Sequence, residues 1–191
     1  MRRLLLITGD LATGKTTFSN ALSARCGAAV LQKDSIKEIL GDEIGFRDRA
    51  ENKRLSLATV ALMTHVFSAL TVVGAPLILE ANFRENELVK IHAAAEKGGY
   101  RVLTLVLRGE IGVLYERYCR RMTKENRHPV HLSAPLHLRD EFERYVLAAR
   151  AEAVPGERIE IDATDFSYQT DEALLGRIDA FMKNDTEETV R

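Results

Sequence analysis

Gly9, Gly14, Lys15 and Thr16 stand in the spacing G-x-x-x-x-G-K-[ST], filled here by Gly9-Asp10-Leu11-Ala12-Thr13-Gly14-Lys15-Thr16. Glycines at the two ends of such a turn let successive main-chain N–H groups curl around an anion. A helix opening directly after the turn adds its positive end to the same anion. Lys15 then sets a point charge on a transferring phosphoryl group, and the Thr16 hydroxyl reaches a magnesium ion. Thr17 lies beside it, near the first phosphate. The chemistry expected of residues 9 to 17 is therefore capture of a nucleoside triphosphate, ATP before GTP, together with Mg²⁺.

Other charged residues fall where a second reactant would need them. Asp34 follows a short apolar run and is placed to take or orient the proton of an attacking hydroxyl; its bland alternative is a cap for the helix at Ser35. Glu80 ends the run Leu77-Ile78-Leu79 and is the candidate acid for the magnesium shell, although aspartate is commoner there. Asn82 and Arg84 come just beyond, within reach of an acceptor. Arg117, Arg121 and Lys124 are spaced i, i+4, i+7 and share a helix face, with Arg127 following. A cationic face beside a polar loop can neutralise charge on a transferring phosphoryl and shut out water. A solvated face balanced by Glu110, Glu116 and Glu125 is the plainer reading, and spacing does not choose among the arginines. His128 and His131 lie three apart in the loop and could meet substrate; no H-x-x-x-H pair occurs on a helix.

These residues need strands to carry them and helices to cover the strands. Leu4 to Thr8 is a continuous apolar run, as for a strand buried on both faces. Residues 28–31, 76–79, 100–107 and 158–161 read as four further strands. Helical patterns fill residues 15–26, 49–73, 85–97, 111–123, 138–153 and 171–182. Another helix starts near Ser35, with Glu38 at capping-box spacing. In the longest helix Leu55, Ala58, Leu62, Val66, Leu70 and Val73 are expected to form the apolar face. Gly98-Gly99 and Pro155-Gly156 stop the helices before them. Residues 126–136, holding Pro129 and Pro135, read as a loop. Strands alternating with helices predict an α/β three-layer sandwich around a parallel five-stranded sheet. Ligands then bind at the carboxyl edge of the strands. One domain is expected over 1–183, with a helical lid over about 110–136 and a fraying charged tail over 184–191.

Composition sets the outer limits. Charged residues are 29% and hydrophobic residues 46%, with a formal net charge of −1. That balance gives no global field for a nucleic-acid track or a membrane surface. The basic, apolar start Met-Arg-Arg-Leu-Leu-Leu is too short for a leader and runs into Gly-Asp. No apolar stretch reaches the roughly 20 residues of a membrane span. Cys26 and Cys119 sit in no metal spacing and are expected to be reduced thiols of a cytoplasmic protein.

With these residues in view, the chain resembles the P-loop small kinase group: polynucleotide kinase, chloramphenicol phosphotransferase, the zeta toxins, gluconate kinase and, more distantly, adenylate kinase. The likeness runs from Met1 to about Met182. It rests on the Gly9–Thr16 turn, Asp34, the Leu-Ile-Leu-Glu-Ala-Asn-Phe run, the arginines from 117 to 127, and Ile161-Asp162-Ala163-Thr164. The resemblance implies the P-loop NTPase fold and ATP-dependent transfer to a hydroxyl of a small-molecule or nucleotide-like acceptor. It implies Asp34 as base, Arg117, Arg121 or Arg127 as phosphate grips, and Asp162 to Thr164 beside the adenine. Lys15, Asp34 and the three arginines are thus the expected catalytic set. Glu80 departs from the group's usual aspartate. A nucleic-acid end is a disfavoured acceptor, and monomer and homodimer both stay open. The rivals are a GTPase switch and a motor ATPase. Against the switch, Asn52-Lys53-Arg54-Leu55 lacks the aspartate of the guanine-reading N-K-x-D.

Overall fold

A computed structural model describes residues 2–124, 127–132 and 135–183. Its strands are β1 (Arg2–Gly9), β2 (Ala29–Gln32), β3 (Leu77–Glu80), β4 (Tyr100–Arg108) and β5 (Arg158–Asp162). They form one sheet in the order β2-β3-β1-β4-β5, every neighbouring pair parallel. The helices are α1 (Lys15–Cys26), α2 (Lys33–Ile44), α3 (Arg49–Leu70), α4 (Glu85–Lys97), α5 (Ile111–Lys124), α6 (Arg139–Arg150) and α7 (Glu172–Met182).

The two sheet faces bury alternate residues of β1. Leu5 and Ile7 join Phe18, Leu22, Leu105, Ile161 and Ile178 under α1 and α7. Leu4 and Leu6 join Met63, Phe67, Leu79, Leu88 and Ile91 under α3 and α4. This is the three-layer arrangement, and it explains why β1 reads as an unbroken apolar run. A smaller cluster of Leu114, Tyr118, Phe142 and Val146 binds α5 to α6, and Leu11 and Ala12 of the glycine-rich turn pack against it. Among the described residues no helix is long and apolar enough to cross a membrane.

Several expected boundaries shift. α2 begins at Lys33, so Asp34 and Ser35 lie inside its first turn rather than before it. Ser35 does not cap the helix; its hydroxyl donates to Gln32 Oε1 at 3.3 Å, and Glu38 is occupied by His131. A capping carboxylate does occur at α4, where Glu87 accepts the Arg84 N–H at 2.9 Å. The expected apolar face of α3 is rotated. Asn52, Leu55, Thr59, Val60, Met63 and Phe67 face inward, whereas Leu62 and Val73 are exposed. Apolar residues cover most of this helix, so periodicity alone selected the wrong stripe. α3 also stops at Leu70, just ahead of Gly74 at φ 74°. The loop expected over 126–136 contains a 3₁₀ turn, Pro129–His131. Parts of that loop, the Lys124 side chain and the 184–191 tail fall outside the described residues.

Candidate nucleotide and acceptor site

All five strands deliver their carboxyl ends to one edge, and the β1–α1 turn sits at its centre. Gly9 has φ 122°, and a Cβ there would lie 2.0 Å from the Leu107 carbonyl oxygen of β4. Only glycine allows that approach. Ala12 (φ 58°) and Gly14 (φ 86°) are also left-handed, which bends the intervening amides toward a common centre. The turn is braced from behind. Tyr168 donates its hydroxyl to the Thr13 carbonyl at 2.7 Å, and Thr13 Oγ1 donates to the Asp10 carbonyl at 2.9 Å. Lys15 folds back over the turn, donating to the Asp10 carbonyl and, at 3.4 Å, to Thr13 Oγ1.

An open cleft brings together Lys15, Thr16, Asp34, Glu80, Arg121 and Arg127. Thr16 Oγ1 donates to Glu80 at 3.0 Å. Burial pushes the Lys15 pKa down, opposed by Glu80, then Asp34 and Asp10, and abetted by Arg121. The same burial pushes Glu80 up, with Lys15 pulling it back and Asp34 adding to the rise. Each charge is thus sustained by its neighbours against desolvation, and a polyanion entering the cleft favours the charged lysine. A hydroxyl and a carboxylate oxygen side by side fit a hard cation whose remaining ligands are phosphate and water. The turn therefore suits a triphosphate with magnesium: a wrapped amide cradle, an adjacent buried lysine and a Thr–Glu oxygen pair.

The other expected site residues divide. Asn82 lines this cleft, and its buried Oδ1 has no hydrogen-bond partner among the described residues. Arg84 turns instead to Glu152, just beyond the end of α6, whose carboxylate also accepts the Glu85 N–H at 2.8 Å. Arg117 is not brought to the phosphate cleft. Its guanidinium donates to the carbonyls of Ala163 and Thr164 and lies 4.2 Å from the Phe166 ring centroid. The reason is geometric: one helical turn separates Arg117 from Arg121, and at that height α5 faces the β5 corner. Asp162 accepts the Thr164 N–H at 2.8 Å, and Thr164 Oγ1 accepts the Glu110 N–H at 2.9 Å, so both hold that corner closed.

Asp10 was expected among the nucleotide contacts, but its side chain points away from the cleft. The buried carboxylate takes three hydrogen bonds from Arg150, the shortest at 2.6 Å, and one from the Gly109 N–H at 3.2 Å. Any contact of Asp10 with nucleotide would use its backbone. Sequence reasoning missed Arg150 altogether. It lies 140 positions away, and the only local signal was a carboxylate inside an anion-binding turn, which needs a cation to be tolerated there. Phe166, stacked on Arg117 and lying against Gly14, was likewise unmarked.

Comparison with known proteins agrees with this geometry. The sequence model of the family described as AAA domain matches residues 4–145. A "putative kinase" from Chloroflexus aurantiacus shares 26% identity at TM-score 0.80, covering 95% of this chain and 99% of that one. A gluconokinase from Sinorhizobium meliloti aligns at 16% identity and TM-score 0.59, over 94% of each chain. Kti12 of Chaetomium thermophilum, solved with ADP-AlF3, aligns at 14% identity and TM-score 0.60, over 95% of this chain and all of the other. The last two show the fold. No curated protein matches the chain in sequence.

Proposed function

Because the chain belongs to this AAA domain family and carries the P-loop kinase fold, we propose that it is an ATP-dependent kinase acting on a hydroxyl acceptor. One observation carries the reading: Asp34 faces Lys15, Thr16 and Glu80 across the cleft that also receives Arg121 and Arg127. A carboxylate beside the terminal phosphate can take the proton of an attacking oxygen, and Asp34 is set to do so for an acceptor hydroxyl.

The β- and γ-phosphates lie in the amides of residues 9 to 16, with Lys15 alongside. Thr16 and Glu80 would hold Mg²⁺, which would neutralise charge on the phosphate oxygens. Asp34 accepts the proton of the acceptor hydroxyl while its oxygen bonds to the γ-phosphorus. The bond from that phosphorus to the bridging oxygen breaks, and its electron pair leaves on ADP. Arg121 and Arg127 meet the charge on the equatorial oxygens. Arg117 and Phe166, with Asp162 to Thr164, lie toward the base. Asn82 lines the cleft on the acceptor side. This division leaves Arg121 and Arg127 as the phosphate grips and gives Arg117 a role at the base.

An acceptor screen with isotopically labelled ATP tests the reading. Sugars and sugar acids come first, as the gluconokinase likeness recommends, then hydroxylated antibiotics, nucleosides and nucleic-acid ends. The expected result is a product heavier by one phosphoryl group and ADP release that rises with that acceptor. Turnover indifferent to every acceptor, yet stimulated by a protein partner, would instead identify a switch.

A further inference from the structure

Asn52 opened the motif rejected above as a guanine reader, and the phosphate cleft does not use it. It is 1% exposed, inside the first turn of α3. Its amide donates to the Val130 carbonyl at 2.8 Å. Lys37 of α2, 9% exposed, donates its ammonium to the same carbonyl at 3.1 Å. Burial pushes that lysine's pKa down, so the fold pays to keep it there. Two buried donors from two helices converging on one loop carbonyl cannot be explained by the loop alone.

The Val130 side chain makes a second fixture. It is 1% exposed and sits on Gly41, in the interior of α2. A Cβ at Gly41 would lie 2.4 Å from Val130 Cγ1 and 3.2 Å from His128 Cε1. Glycine is a poor helix former, so its presence there is accounted for by this close approach. Two histidine–carboxylate hydrogen bonds flank the seat: His128 Nε2 with Asp42 at 2.9 Å and His131 Nε2 with Glu38 at 2.7 Å. Asp34, Lys37, Glu38, Gly41 and Asp42 recur at helical spacing, so one face of α2 presents both the proposed base and all of the docking surface except Asn52 of α3.

We propose that residues 127–132 form a strap pinned to α2 and α3, with Asn52, Lys37 and Gly41 as positioning residues that hold Arg127 opposite Asp34. The grip on the transferring phosphoryl is thereby registered against the base by one rigid body, the acceptor-side helix, and not by the nucleotide turn. This deepens the kinase reading and rests on it for the catalytic consequence; the docking itself does not.

A knob-and-seat cycle tests it. Gly41→Ala brings a methyl into Val130 Cγ1, whereas Gly41→Ala with Val130→Ala leaves the two Cβ atoms 3.8 Å apart, and only the His128 ring edge, at 3.2 Å, has to give by a few tenths of an ångström. Trypsin cleavage after Arg127, followed by mass spectrometry without nucleotide, reports the docking. The single variant is expected to be cut about tenfold faster, and the double variant to return to within about twofold of wild type. Asn52→Ala should also be cut faster; if it fails to fold, Lys37→Met serves in its place. With an acceptor in hand, Gly41→Ala should lower kcat about tenfold and leave the ATP KM within about twofold, the signature of lost transition-state positioning. Cleavage in Gly41→Ala, Asn52→Ala and Lys37→Met equal to wild type overturns the strap. Faster cleavage with unchanged kcat overturns the positioning role. If no acceptor is ever found, the kinase reading fails and the cleavage cycle still decides the docking.

Discussion

The glycine-rich turn and the 127–132 strap face each other across one cleft, yet they are held in different ways. The turn is fixed from beneath, by β4 against Gly9, by Tyr168 on Thr13, and by α5 and α6 around Leu11 and Ala12. Its chemistry resides in main-chain amides, which any side chain of the right size leaves in place. The strap is fixed from the side, through one carbonyl and one valine on α2 and α3. Its chemistry resides in a side chain, Arg127. The nucleotide end can therefore be read from a local motif. The acceptor end depends on distant residues that no motif records.

The largest expected effect breaks the nucleotide end. Lys15→Ala should lower turnover about 10³-fold and weaken nucleotide binding, measured by steady-state kinetics and titration calorimetry. Asp34→Asn separates the two ends: nucleotide affinity should stay within about twofold while transfer falls about 10²-fold. Native-rate transfer by Asp34→Asn would remove it as base. Arg150→Ala leaves the Asp10 carboxylate buried without its cation. It should cost about 3 kcal/mol in urea unfolding, the low end for a broken buried pair because 26% of the Arg150 side chain is exposed. Arg117→Ala should raise the ATP KM about tenfold with kcat within about twofold, placing it on the base side of the comparison.

The smallest effect sharpens the strap end. Burial pushes the His131 pKa below its ordinary 6.5, against the pull of Asp34 and Glu38, with Arg127 adding to the fall. The folded protein thus holds that proton more weakly than the unfolded chain. Stability is complete above pH 6.5 and declines as pH falls through the lowered folded value. His92 is shifted the same way, so His131→Gln should reduce the acid slope of the urea midpoint and not abolish it.

The sheet, its covering helices and the phosphate turn were legible because each has a local cause: an apolar run, a glycine stop, a fixed spacing. Asp34 and Glu80 could be placed because they follow strands. Arg117 could not be separated from Arg121, since helical spacing states that they share a face and not what that face meets. The α3 stripe was misread because apolar residues surround that helix. Asn52, Gly41 and Arg150 were invisible for one reason: their partners, Val130 and Asp10, are brought near only by the fold.

The strand order has a further consequence. β1 lies in the middle of the sheet, with Leu4 beside Leu77 and Arg2 beside Tyr100. The segment that launches the phosphate turn completes its pairing only when both of those distant segments have joined it. Contacts so far apart in sequence close slowly. The anion cradle is thus seated on a strand whose two neighbours come from the middle of the chain, so its support is a product of long-range closure.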